Sequence, residues 1–297
     1  MKIRPYQETD LLRVLTLWNE VQQKSHEFIP YTEEKLRAVL KEASSILVGV
    51  DEQGKILGLG LLRREWHGEE IHICAQPGPE QQKIEEQLLS AIESQAQSSE
   101  VTALVDSGDR ERIEFFVARC YKPEGSIYQM LAELDRPRSV PVPQGYLLRS
   151  LKPNEEEELI KVVNVAYEGE RLRLGALARW HSEDPAFSAA WVQVAEFAGK
   201  LVAAVVARSD LEFNRYYHAK RGYLGPAATL PEHRGKGLGK ALTARAMNFL
   251  REQGLERASL YTWSGNVAAL RVLKSLGFHV GHEWQILTKS IATIGKG

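Results

Sequence analysis

The chain carries its apolar residues in two successive runs of the same order. The first opens on Lys2-Ile3-Arg4, an alternating stretch that predicts a short strand. A helix follows from about Thr9, with Leu11, Leu15 and Trp18 at helical spacing. The second run opens on Tyr146-Leu147-Leu148-Arg149. Its helix begins near Asn154 and puts Leu159, Val162, Val163 and Ala166 on one face. Each run then reaches a hairpin signal, Val48 to Gly58 in the first and Val192 to Ala203 in the second. Each continues with a strand, an amphipathic helix, a strand, a helix and a last strand. Between them, Asp135 to Gly145 holds three prolines and a glycine and reads as an extended connector. The pattern therefore predicts two copies of one α/β domain, residues 1–136 and 146–297, joined by a linker at 137–145.

Length agrees with this division, since 297 residues suit two domains of ordinary size. With 43% hydrophobic and 26% charged residues the chain is expected to fold throughout. The net charge of -1 argues against nucleic-acid binding through a broad basic surface. No apolar run is long enough to span a bilayer and no secretory leader is visible, so a cytoplasmic protein without a membrane partner is expected. The two cysteines, Cys74 and Cys120, are too few for a disulfide framework or a cysteine-rich zinc site and are expected to be buried free thiols.

The segment that carries chemistry is Gly222 to Leu242. Its first part reads as a strand ending at Pro231, and its last part opens a helix with Leu238, Leu242, Ala246, Phe249 and Leu250 on its apolar face. Between them, Gly235, Gly237 and Gly239 alternate with Lys236, Leu238 and Lys240, just after Arg234. A helix start leaves unpaired N–H groups and a partial positive charge. Glycines let the backbone approach a phosphate, and the cations add to the attraction. The spacing fails both the dinucleotide fingerprint, where Lys240 stands in place of the last glycine, and the P-loop, which needs one more residue before Gly-Lys and then Ser or Thr. An NAD-binding enzyme is therefore disfavoured. What fits is R-x-x-G-x-G, here Arg234, Gly237 and Gly239.

This segment resembles the coenzyme A pyrophosphate loop of the GNAT acetyltransferases. Downstream, Asn266, Ala269 and Leu276-Gly277-Phe278 match the family's N-x-x-A and L-G-F elements, with Asn266 suited to an N-cap and Gly277 to a left-handed C-cap. The likeness covers most of Tyr146 to Ile291. The first half resembles the family in outline only: Glu80, Gln81, Lys83 and Glu85 stand where the second half has Arg234, Gly235, Gly237 and Gly239. Acid at a phosphate site repels the ligand. The chain thus resembles tandem GNAT proteins of the mycothiol synthase type, with a degenerate first domain and the active site in the second.

The resemblance implies an α/β fold, in each half a mixed, mostly antiparallel twisted sheet flanked by helices. It implies acetyl-CoA as co-substrate, no metal, and direct attack of a small-molecule amine on the thioester through a tetrahedral intermediate. Ala228, Thr229 and Leu230 are expected to pair with the pantetheine arm. Arg234, Gly235, Lys236, Gly237, Leu238, Gly239 and Lys240 are expected to hold the pyrophosphate, and Asn266 to join the cofactor site. The family's usual base carboxylate falls at Tyr223 and its usual acid tyrosine at Leu273, so both proton-handling groups are replaced. Tyr223 and Tyr261 become the candidates, with His218 behind them. The acceptor is expected near Tyr167, Arg171, Arg173, Trp180 and His181. A monomer or homodimer is expected. The competing reading is a non-catalytic acyl-CoA sensor.

Overall fold

A computed structural model describes residues 1–65 and 68–291. By proximity of its residues the chain divides into two compact units, Met1–Ile127 with Glu283–Gly297, and Tyr128–His282. The first is built from two separate stretches of chain and the second from one, and the last strand of each half, Lys122–Glu133 and His279–Ser290, crosses a unit boundary.

The elements of the first run are β1 (Lys2–Pro5), α1 (Leu11–Gln22), α2 (Glu33–Glu42), β2 (Ala43–Val50), β3 (Ile56–Glu65), β4 (Gly68–Ala75), α3 (Gln81–Glu93), β5 (Glu100–Asp106), α4 (Arg110–Val117) and β6 (Lys122–Glu133). The second run has β7 (Tyr146–Ser150), α5 (Glu156–Ala166), α6 (Ala176–Glu183), β8 (Val192–Phe197), β9 (Lys200–Ser209), α7 (Leu211–Tyr217), β10 (Arg221–Thr229), α8 (Leu238–Glu252), β11 (Arg257–Trp263), α9 (Val267–Ser275) and β12 (His279–Ser290). The expected repeat is present, with helix starts about two residues later than the pattern suggested.

In the first unit the strand order is β1-β2-β3-β4-β5-β12. Pairing is antiparallel except between β4 and β5, which are parallel. The distal part of β12 completes this sheet, with Trp284 to Ser290 opposite Asp106 to Glu100. Lys289 Nζ bonds both carboxylate oxygens of Glu93 at 2.9 and 2.7 Å, and the Tyr121 hydroxyl donates to the same group at 2.9 Å. One buried cluster joins α3 and α4 to the sheet through Leu88, Ile92 and Phe116, and another holds α1 and α2 through Val14, Leu17, Leu36 and Leu40.

The second unit has the order β6-β11-β10-β9-β8-β7, antiparallel from β7 to β10 and parallel between β10 and β11. Strand β9 is buried from Leu201 to Ala207, as suits a central strand covered on both faces. The proline-rich segment has no regular structure but is tied to α8: the Arg138 N–H donates to Asn248 Oδ1 at 2.7 Å, and Asn248 Nδ2 returns a bond to the Arg138 carbonyl at 2.9 Å.

One device recurs at the head of each half. Arg4 grips Asp10 with both guanidinium nitrogens, at 2.6 and 2.8 Å, while Asp10 also accepts the Gln7 N–H. Arg149 grips Glu155 in the same way, at 2.7 and 2.8 Å, and Glu155 accepts the Lys152 N–H. A bidentate fork fixes the turn between first strand and first helix.

One expectation is corrected. Cys74 is a buried free thiol, and burial pushes its pKa up to about 12. Cys120, however, is exposed, because it follows the end of α4 in a left-handed turn with φ 68°. Among the described residues no helix is long and apolar enough to cross a membrane, and no three His, Cys, Asp or Glu side chains gather as metal ligands.

Candidate active site

Strands β10 and β11 begin side by side and then part. Their pairing runs from Arg221↔Arg257 to Tyr223↔Ser259 and stops there, although β10 continues to Thr229 and β11 to Trp263. The Ser259 hydroxyl closes the paired end with a bond to the Gly222 carbonyl at 3.1 Å. Beyond it the strands leave a gap with one free backbone edge. On β10 that edge is legible from the ladder with β9. Leu230 donates to the Val202 carbonyl at 2.9 Å, so antiparallel alternation turns Leu230 and Ala228 toward β9, and Ala227 and Thr229 toward the gap. Side chains already use the gap-facing carbonyls: the Tyr167 hydroxyl donates to Ala227 O at 3.2 Å, and Arg234 Nε donates to Thr229 O at 3.1 Å.

Past the gap the chain turns into α8. Gly235 and Gly237 have φ of 74° and 84°, a region that disfavours residues with a Cβ. Gly237 is the N-cap and offers no side chain to the helix start. The first bond within α8 is Ala241 N–H to Gly237 O, at 3.1 Å, so the N–H groups of Leu238, Gly239 and Lys240 lie at an uncapped helix start. At Gly239 an added Cβ would meet nothing within 4 Å. That glycine keeps space open rather than satisfying the backbone. The cations differ in employment. Arg234 also bonds the Ala166 carbonyl at the end of α5, and Lys236 bonds the Glu232 carbonyl, both at 2.9 Å, so these two brace the turn. Backbone amides at a helix N-terminus, with basic side chains around them, are an arrangement suited to an anion.

Asn266 caps α9, its Oδ1 accepting the Ala269 N–H at 3.2 Å. At the other end Gly277 has φ 93°, with Phe278 N–H bonded to Leu273 O and Gly277 N–H to Lys274 O, the paired bonds of a Schellman ending. Leu273 is 5% exposed and belongs to the core.

Tyr223 lies at the closed end of the gap. Its ring runs beside Gly225, where an added Cβ would approach it to 3.1 Å. The Tyr261 ring is 6.1 Å away between centroids, and Tyr261 and Trp263 are 48% and 45% exposed along β11. Burial raises the Tyr223 pKa, against the opposing pull of Arg208 and Arg171. A phenol so held is protonated at neutral pH and does not serve as a strong base. Of the expected acceptor residues, Arg173 is paired with Glu170 at 2.7 Å, Arg171 stacks over Tyr167 at 5.5 Å, and His181 donates from Nδ1 to the Phe187 carbonyl at 2.8 Å. His218 is exposed at the end of α7. Arg208 was not singled out from sequence. It stands directly across the ladder from Tyr223, and its signal was a single cation ending an apolar strand.

Residues 154–278 match the model of the Acetyltransferase (GNAT) family. A mycothiol acetyltransferase from Thermobispora bispora is 31% identical over 167 residues, covering 52% of this chain and 53% of that protein. One from Pseudarthrobacter chlorophenolicus is 27% identical over 216 residues, covering 70% and 66%. The matched regions thus span between about half and two thirds of the length of these relatives. Among solved structures, a tandem GNAT protein from the clavulanic acid biosynthesis pathway matches 97% of this chain and 98% of its own, with TM-score 0.65 and 18% identity. A GCN5-related N-acetyltransferase from Sphaerobacter thermophilus matches 97% and 95%, with TM-score 0.66 and 16% identity. These structures show a shared fold over both halves.

Proposed function

We propose, from the premise that residues 154–278 are a GNAT acetyltransferase domain, that the second unit transfers an acetyl group from acetyl-CoA to the amine of a small molecule. The observation that carries the reading is a coincidence in space. The gap opening after Tyr223↔Ser259 leads along β10 to the uncapped start of α8 at Gly237. A ligand with an extended arm and a pyrophosphate fits such a path, and a compact phosphate alone needs only its far end.

In this reading acetyl-CoA supplies the activated acyl group. The amides of Leu238, Gly239 and Lys240, with Lys236 and Arg234 beside them, hold its pyrophosphate. The backbone of Ala227 and Thr229 runs along the pantetheine arm, and an N–H of this edge supports the developing negative charge on the thioester oxygen. Tyr167 and Arg234 leave the Ala227 and Thr229 carbonyls as the arm enters. Tyr223 keeps its proton and orders the attacking amine or a water beside it; Tyr261 lines the same end. As the C–N bond forms and the C–S bond breaks, the proton lost by the amine nitrogen passes to water; no acid stands at Leu273, which is core, and the thiolate leaves without one because its conjugate acid has a pKa of ~8.5.

The test is calorimetric titration with acetyl-CoA followed by turnover of an amine panel, read as free thiol. Binding with turnover is expected. Tight binding with no thiol release from any amine would instead favour an acyl-CoA sensor, the reading to which the missing acid points.

A further inference from the structure

Arg208, half-buried at the closed end of the gap, has a hydrogen-bond donor that the described residues leave unanswered. Its Nε is buried and has no hydrogen-bond partner. Among the described residues no carboxylate pairs with its guanidinium. Other shielded arginines of this unit are matched: Arg221 binds Asp210 at 2.8 Å, Arg149 binds Glu155 and Glu196, and Arg245 binds Gln193. The residue is half-buried, and a buried N–H donor left without an acceptor is costly, so the site calls for an acceptor from outside the chain.

Its surroundings specify that partner. The guanidinium lies 5.3 Å from the Trp180 ring centroid and 5.5 Å from that of Tyr223. Two aromatic faces steady the cation but accept no hydrogen bond along its edge. Arg208 and Tyr223 are cross-strand neighbours at the last residue pair before β10 and β11 part. Both lie on the sheet face away from α8, since Gly222 and Leu224, one residue to either side of Tyr223, turn toward the other face, where a Cβ on Gly222 would strike Leu250. A second cation, Arg171, acts on the same Tyr223 hydroxyl, and its own guanidinium rests on the Tyr167 ring. Asp210, the nearby acid, is committed to Arg221. The acceptor end of the gap is therefore lined by cations and rings.

We propose that the acceptor amine carries an oxyanion, a carboxylate or a phosphate, and that Arg208 binds it through the planar fork while Tyr223 faces the amine. This rests on the acetyl-transfer reading above. A guanidinium fork matches both groups bidentately, and it anchors the far end of the acceptor while the amine end stays clear for attack.

The experiment measures thiol release from acetyl-CoA by the full chain with matched amines: amino acids against their decarboxylated amines, and aminoalkyl phosphates against the parent amino alcohols. One anionic class is expected to exceed its uncharged counterpart by ~10² in kcat/KM, and the winning arm identifies the oxyanion. Arg208→Gln is expected to lower that member ~10²-fold, chiefly through KM, with the uncharged amine changed less than ~3-fold; Arg208→Lys restores part of the loss. Acetyl-CoA affinity by calorimetry and the melting curve are expected to stay as in the parent chain, which separates lost recognition from lost folding. Equal turnover of anionic and uncharged members, or an equal loss of both in Arg208→Gln, overturns the proposal. If acetyl-CoA fails to bind, or binds with no thiol release from any amine, the acetyl-transfer reading fails first and takes this one with it.

Discussion

The two units start from one plan and part company at the gap between their parallel strands. In both, the parallel pair separates early: β4 and β5 pair only at Glu69↔Val101 and Glu70↔Thr102, as β10 and β11 pair only over their first residues. In the second unit the helices that follow these strands carry Gly239 and Ala269 in their first turns. In the first, the corresponding positions are Glu85 and Arg112, and these fill the space. Arg112 donates to Glu85 at 2.5 Å and to the Ile73 carbonyl at 2.6 Å. Ile73 O is the counterpart of Ala227 O, the edge proposed to meet the pantetheine arm. Glu85 is 5% exposed, and Gln81 reaches it as well, at 3.3 Å. The comparison teaches that the two units differ here by more than their glycines. Where the second leaves a backbone edge to the ligand proposed above, the first occupies its edge with an internal ion pair.

The sharpest way to break this contrast is to give the second unit the first unit's acid. In Gly239→Glu the new side chain meets open space, and an acid in the first turn suits the helix, so α8 should persist. Two like unit charges ~4 Å apart in a partly screened site repel by ~4 kcal/mol, so acetyl-CoA affinity should fall roughly 10³-fold. Calorimetry with unchanged affinity would remove the loop from the site. In the parent chain the stoichiometry should be one per chain.

The next effect is on stability. Arg112→Ala strands Glu85 in the first unit, and removing one partner of a buried pair typically costs ~3–5 kcal/mol. The double change Arg112→Met with Glu85→Leu replaces the pair with apolar bulk and should recover most of that loss. Hydrogen exchange localises the effect: amides of the first unit should lose protection in the single variant. Equal protection in all three chains would show that the plug holds nothing.

Much of this contrast could be read from the amino acids. The repeat of elements, the Gly235 to Lys240 turn, its degenerate counterpart at Glu80 to Glu85, and the caps at Asn266 and Gly277 all depend on local chemistry, which sequence displays. The plug was not legible, because Arg112 lies 27 residues from Glu85 and only the fold brings them together. Nor was the destination of β6 and β12. Alternation says that a strand has a buried face, but not which sheet it will join. Arg208 escaped notice for a related reason: a cation at the end of an apolar strand becomes unusual only once its lack of a partner is seen. Leu273 was legible as a missing acid, whereas its place in the core needed the packing of α9.

A smaller effect tests what the units share. The forked bonds from Arg4 and Arg149 hold the Asp10 and Glu155 pKa values below the ordinary carboxylate range. Folded pKa values depressed in this way contribute stability that is present above the unfolded value, ~4, and is lost as pH falls through the folded one. Both units should therefore weaken on acidification below about pH 4. Asp10→Asn should flatten that acid limb for the first unit and Glu155→Gln for the second, as followed by urea unfolding across pH. A limb unchanged in both variants would mean that other carboxylates set the acid sensitivity.

The smallest effect concerns a position where the halves differ by one side chain. Helix α9 ends on Gly277 with φ 93°, and α4 ends on Cys120 with φ 68°. Both endings make the same long bond, Phe278 N–H to Leu273 O and Tyr121 N–H to Phe116 O, at 3.0 and 3.2 Å. The backbone thus makes the same demand twice, and only Gly277 meets it without a Cβ. A left-handed conformation costs an L-residue ~1–2 kcal/mol, partly offset by the greater freedom glycine has in the unfolded chain. Cys120→Gly should accordingly stabilise the first unit by about 1 kcal/mol, and Gly277→Ala should destabilise the second by a similar amount. Because Cys120 is exposed, the change removes no core contact that would mask the gain. Cys120→Ala is the control: it keeps the Cβ, so it should leave the melting temperature unchanged. A gain in the alanine variant equal to that in the glycine variant would trace the effect to the thiol instead of the backbone.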